Sequence, residues 1–366
     1  MNRTEQLEAD YIINTYNRQP GVTPCLVRGE GVYVWDEAGK KYLDFLGGLA
    51  VNVLGHCHPQ VVKTICEQAG ILSHVSNIYY SVPQVKLAEQ LIENTMPGGK
   101  VFFCNSGTEA NEAAIKLSRR CRPGRFKIIS AERSFHGRTL AALTATGQLK
   151  YRKPFNPLPE GFSYATFNDL DSFAALIDDQ TAAILIEPVQ GEGGVYVAEE
   201  SFIKGLRDLC DYEGLLLIFD EVQSGVGRTG KLWAHQNWAV CPDIMTTAKG
   251  LGGGLPIGAL VASESCASGF EPGDHASTFG GNPVVCSAAM AVLEIILAEG
   301  FLEEVREKGW LLKEGLEKLI SSYPEVAAEY RGLGLISALE LKKPAARMIQ
   351  GKCTAAGLLI NACLLY

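Results

Sequence analysis

A chain of 366 residues is too long for one small core, so a large domain with a smaller one beside it is the natural expectation. Apolar residues make up 47% and charged residues 20%, the ordinary balance of a globular enzyme in water. A formal net charge of -8 argues against the basic patch or stripe that nucleic-acid binding uses.

In chain order, the opening MNRTEQLEADY is polar and carries acids. It matches neither a secretory signal nor an Arg/Ser-rich transit peptide, so a cytoplasmic protein is expected. No apolar run approaches the roughly 18 residues that a membrane helix needs. Up to about Pro59, GVYVWD and KKYLDFLGG predict a small antiparallel element beside the main domain. The 11 cysteines, odd in number and without a C-x-x-C pair, read as reduced, buried thiols rather than a disulfide frame.

From there the chain alternates apolar, β-rich runs with helical patterns. The runs are VFFC from Val101, KIIS from Lys127, AAILIEP from Ala182, LLLIFDE from Leu215, IMTTAK from Ile244 and GALVAS from Gly258. EANEAAIKLSRRC and ESFIKGLRDLCDYEG are the clearest helices between them. Doubly apolar strands alternating with amphipathic helices predict an α/β fold with a mainly parallel sheet covered on both faces. From Asn282 the pattern becomes three long helices. The first, PVVCSAAMAVLEIILAE, is expected to bridge two domains. The second is expected to bury Leu302, Val305, Trp310, Leu311, Leu316 and Leu319, and the third is PAARMIQGKCTAAG. RGLGLISALEL reads as one strand between the last two. The predicted division is 1–59 and 282–366 for a small α+β domain, with 60–281 as the large one.

Four segments fall where parallel strands end, and in open α/β sheets ligands bind beyond those carboxyl ends. Asn105-Ser106-Gly107-Thr108 follows VFFC and opens a helix, a setting whose amides and dipole suit a phosphate. By itself it is as readily an ordinary N-cap. Asp220 ends LLLIFD, and a buried acid there needs a cationic partner. A pyridinium nitrogen at about 4 Å would gain roughly 4 kcal/mol at an effective dielectric near 20. A Mg²⁺- or ribose-binding acid, or a solvated strand end, is the plainer reading. Lys249 in IMTTAKGLGGGLPIGA stands at a strand end before a Gly-rich turn, where desolvation would favour its neutral amine. Otherwise it is a surface lysine. In Ser134-Phe135-His136-Gly137-Arg138-Thr139 an aromatic could stack on a planar ring and the arginine fork could take a carboxylate. A core phenylalanine and a rim ion pair would look the same. Gly55-His56-Cys57-His58-Pro59 resembles a metal cluster, but neighbours in one turn cannot all face one ion, so no metal is expected.

Asp220, Lys249, Gly107-Thr108 and Phe135 together fit pyridoxal phosphate (PLP) better than any other cofactor. The chain also resembles the class III (ornithine-type) PLP-dependent aminotransferases, and within them the acetylornithine enzymes. The likeness runs from about Tyr16 to Gly357, through GVYVWDEAGKKYLDFLGGLAVNVLGHCHP, NSGTEANEAAIK, SFHGRTLAALTATG, EPVQGEGGV, IFDEVQSGVGRTG, AKGLGGGLPIGA and HASTFGGNP.

The resemblance implies PLP fold type I, with a seven-stranded-type large-domain sheet. It implies that Lys249 carries the cofactor as a Schiff base and moves the proton, that Asp220 pairs with the pyridinium, and that Gln223 meets the ring hydroxyl. Phe135 and Val222 would flank the ring, and Gly107 and Thr108 would hold the phosphate, joined by Thr278 from the second subunit of a homodimer. Arg138 would bind the substrate carboxylate with Ser277 near it, and Glu192 would stand by the substrate. The implied reaction moves an amino group from acetylornithine to 2-oxoglutarate. Succinyldiaminopimelate, succinylornithine, ornithine and 4-aminobutyrate remain open as donors, and an intramolecular aminomutase as a reaction. Family members continue past GLLINA with a strand carrying an arginine, whereas here the sequence reads GLLINACLLY to Tyr366. The expectation is therefore a shortened small domain without that arginine. A PLP-binding protein with little catalysis is then a second reading, which a half-reaction would separate.

Overall fold

The computed structural model describes residues 2–363. Strands β1 (Leu26–Glu30), β2 (Tyr33–Asp36) and β3 (Lys41–Asp44) pair antiparallel, as the two N-terminal runs predicted. The central sheet takes β4 (Lys100–Cys104), β5 (Lys127–Ala131), β6 (Phe162–Ala165) and β7 (Thr181–Ile186). A short ribbon of β8 (Val189–Gln190) and β9 (Tyr196–Val197) follows. The sheet is completed by β10 (Leu216–Asp220), β11 (Ile244–Thr247) and β12 (Gly258–Ala262). Their order is β4-β12-β11-β10-β7-β5-β6. Only β12 runs against its neighbours, so the carboxyl ends of β4, β5, β7, β10 and β11 share one edge. The sequence missed β6 because this edge strand, FSYA, is only partly buried and lacks a doubly apolar run.

Alternation along the strands covers both faces. Leu216 and Ile218 pack with Ala113, Ala114 and Leu117 of helix Gly107–Cys121, while Leu217 and Phe219 pack with Phe202, Ile203 and Leu206 of helix Glu200–Glu213. Each such large apolar side chain contributes about 1.5–3 kcal/mol when fully buried. Rigid strands held from both sides fix the edge where the candidate residues stand.

The C-terminal third departs from expectation in detail. Helix Pro283–Ile296, capped by Asn282, is buried against helices Pro59–Ile71 and Val82–Glu93. Burial on most sides explains its apolar sequence. Among the described residues no single helix is long and apolar enough to cross a membrane. Helix Phe301–Ser322 turns away by 71°. Its Trp310, Leu311 and Leu319 face outward, contrary to the predicted stripe, and its one buried residue is Gly309. There the helix meets a turn backbone: a Cβ on Gly309 would lie 2.8 Å from the Gly334 Cα. RGLGLISALEL is not one strand but most of a hairpin, β13 (Ala327–Leu333) and β14 (Ile336–Leu341), turning at Gly334 with φ 61. Finally, β15 (Leu358–Leu359) pairs in parallel with β3, so both chain ends share one sheet. Cys104, Cys210, Cys266 and Cys286 are buried as expected, but Cys57, Cys66 and Cys241 are exposed.

Candidate active site at the carboxyl edge of the sheet

A cavity of about 440 Å³ opens at the shared strand edge. Of the cofactor and substrate residues that the resemblance implies, all but Ser277 and Thr278 line it. Ser277 lies behind the wall, where its hydroxyl accepts from Asn105 Nδ2 at 3.2 Å and from the Gly280 amide at 3.0 Å. Thr278 is exposed outside the cavity of its own chain.

One end of the cavity is the start of helix Gly107–Cys121. Ser106 caps it, accepting from the Glu109 amide at 3.3 Å. Among the described residues the Gly107 and Thr108 amides make no hydrogen bond, so two helix-end donors face the cavity unspent. A Cβ on Gly107 would lie 2.6 Å from Val222 Cγ1, so only glycine lets this backbone sit so close to the loop after β10. The Thr108 hydroxyl is already engaged: it accepts from the Arg138 amide at 3.1 Å and bonds the Thr139 hydroxyl at 2.8 Å. That ties the helix start to the FHGRT turn.

Asp220, 3% exposed, closes the floor. Its carboxylate accepts from Asn111 Nδ2 at 2.7 Å, from His136 Nδ1 at 2.8 Å and from the Val222 amide at 3.0 Å. Asn111 is fixed in turn by Thr246, whose hydroxyl donates to Asn111 Oδ1 at 2.7 Å. Sequence reasoning assigned nothing to Asn111 or His136. A polar Asn amid the alanines of NEAAIK, on the face turned to the sheet, was the available signal.

Glu187 was missed as well, although it follows the apolar strand β7 as Asp220 ends β10. It accepts from the Phe135 amide at 2.9 Å and the Gly191 amide at 3.2 Å, latching two walls together. Burial pushes its pKa up to about 7.

Lys249 follows β11 by two residues and holds a left-handed φ of 42. Burial lowers the pKa of its amine, against the pull of the Glu192, Asp220 and Glu187 carboxylates. The direction is the one a lysine nucleophile needs. Gln223 reaches Glu192, Nε2 to Oε1, at 3.5 Å. A Cβ on Gly191 would fall 1.4 Å from Gln223 Oε1, so a larger residue in the β8–β9 turn would displace the Gln223 amide. The Cys363 thiol donates to the Glu192 carbonyl at 2.9 Å. On the open side Arg138 stacks on Phe135 and Tyr151, with Cζ 5.3 Å and 4.0 Å from the two ring centroids. Away from the cavity, His56 of the GHCHP turn bonds Asp44, Nε2 to Oδ2, at 2.7 Å, and His58 precedes helix Pro59–Ile71.

These residues fit pyridoxal phosphate. The cavity carries free amides at a helix start for a phosphate, a buried acid for a ring nitrogen, a desolvated lysine, and Val222 and Phe135 on its walls. The family model for aminotransferase class-III matches residues 15–364. The chain is a class-III aminotransferase. Curated relatives of this aminotransferase include the acetylornithine aminotransferases of Caldanaerobacter subterraneus subsp. tengcongensis and Methanocaldococcus jannaschii. The first is 52% identical over 97% of this chain and 90% of its own. The second is 50% identical over 97% and 89%. Among solved structures, the taurine:2-oxoglutarate aminotransferase from Bifidobacterium kashiwanohense, in complex with PLP and glutamate, superposes with a TM-score of 0.92. It is 30% identical, over 99% of this chain and 91% of its own.

Proposed function

We propose that this class-III aminotransferase is PLP-dependent and transfers the distal amino group of acetylornithine to 2-oxoglutarate. It works as a cytoplasmic homodimer, with a large domain over 60–281 and a small one from 1–59 and 282–366. The observation that carries the reading is the convergence of buried Asp220 and a desolvated Lys249 amine on one cavity whose rim bears the Arg138 guanidinium. Identities near 50% to acetylornithine aminotransferases support the choice of donor.

Bound pyridoxal phosphate supplies an electron sink for charge developing at the donor's amine-bearing carbon. The chain's own groups do the rest. The Gly107 and Thr108 amides take the phosphate, and the partner subunit's Thr278 completes that site. Asp220, held by Asn111 and His136, would set a fixed negative charge beside the ring nitrogen, and Gln223 would meet the ring hydroxyl. Val222 and Phe135 flank the ring and exclude water. Lys249 Nζ takes the proton from the donor's amine-bearing carbon. The Arg138 fork holds the donor's α-carboxylate, which brings the distal amine to Lys249, and Glu192 and Ser277 stand near the substrate.

This reading has a direct test at Arg138. Arg138→Lys keeps the charge but loses the planar fork. It should lower kcat/KM for acetylornithine by about tenfold or more, since one charge-assisted bidentate pair is worth roughly 1.5–3 kcal/mol. An amine without a carboxylate should hardly respond. An equal fall for both donors would make Arg138 structural, and no fall for either would remove it from the site.

A further inference from the structure

The two aromatic contacts of Arg138 are not equivalent. The guanidinium carbon lies 4.0 Å from the Tyr151 ring centroid and 5.3 Å from that of Phe135. Tyr151 also meets Phe135 edge to face, with centroids 5.9 Å apart and planes at 82°. Arg138 and Phe135 come from the turn after β5, whereas Tyr151 comes from the short helix Leu149–Arg152. Among the described residues no carboxylate pairs with the Arg138 guanidinium, and the Tyr151 and Phe135 side chains restrain it.

A guanidinium laid on a ring is attracted through its face and keeps the N–H groups of its edge for an anion. Without the ring, a long exposed side chain must be ordered each time a carboxylate binds, and that loss of freedom opposes binding. Burial pushes the Tyr151 phenol pKa up, against the pull of the Arg138 guanidinium beside it.

We infer that Tyr151 is a positioning residue for donor recognition: its ring holds the plane of Arg138 so that the N–H fork meets the substrate carboxylate. The inference rests on the proposed role of Arg138. It also separates two parts of one side chain, because the ring face makes the 4.0 Å contact and the hydroxyl can be removed alone.

The test compares Tyr151→Phe and Tyr151→Ala holoenzymes with wild type, using acetylornithine and a monoamine without a carboxylate. Tyr151→Ala should raise KM for acetylornithine about tenfold, the scale of a partly desolvated cation–π contact, with kcat within about twofold. The monoamine, which also reports whether the variant is folded, should be unaffected. Tyr151→Phe should behave as wild type within about twofold. Three results would overturn the inference: an unchanged KM in Tyr151→Ala, an equal loss for both donors, or a Tyr151→Phe as impaired as Tyr151→Ala. A wild type that turns over the monoamine but not acetylornithine would instead overturn the reading of function on which this inference stands.

Discussion

Lys249→Ala is expected to abolish covalent attachment of the cofactor and to slow transamination by at least about 10³-fold, the scale lost when a positioned general base is removed. The fold should survive. The amine is buried and desolvated, so its removal relieves a cost, and the strand that presents it is held by β10 and β12. Glu187, Glu192 and Asp220 are the nearby carboxylates, but none can form an imine with a carbonyl carbon. Single-turnover kinetics, with intact mass after borohydride reduction, check both halves. A variant that still carries reducible, covalently bound cofactor would place the attachment elsewhere.

Asp220→Asn should be nearly as damaging to rate while costing the cofactor less affinity. The substitution keeps side-chain size and an acceptor for His136 Nδ1, but removes the charge. A unit charge at about 4 Å from a ring nitrogen contributes roughly 4 kcal/mol, close to a 10³-fold effect if it is needed to stabilise developing charge. Asp220→Ala is a poorer probe of that charge. It would also strand the buried donors of Asn111 and His136, at about 1–3 kcal/mol each in stability. Turnover measured at saturating cofactor decides the matter: an Asp220→Asn enzyme within about threefold of wild type would mean that the charge is not used.

Asp220 was legible because it closes a strand apolar on both faces, and Lys249 because it follows a buried strand just before a Gly-rich turn. The six central strands found in the sequence share that origin. Glu187 offered the same signal near the end of AAILIEP and was passed over. Other parts were silent. β6 is a half-buried edge, and the hairpin from Ala327 to Leu341 depends on one glycine turn inside an apolar run. The outer face of helix Phe301–Ser322 carries Trp310 and Leu311, so periodicity joined exposed residues to the half-buried Leu302, Val305 and Leu316; the one buried residue is Gly309, which has no side chain to announce it. Tyr151 is invisible for a related reason. Its partner Arg138 is 13 positions away, and only the fold stacks them.

The most direct measurement of the central claim is a half-reaction on the purified holoenzyme without any 2-oxo acid. Acetylornithine, succinylornithine, succinyldiaminopimelate, ornithine and 4-aminobutyrate are compared at equal concentration, with carbonyl product counted per chain. The account predicts close to one equivalent from acetylornithine, at a kcat/KM above those of the other four. Another donor preferred by tenfold or more would contradict the substrate assignment, and a bound cofactor with no product from any donor would contradict catalysis itself.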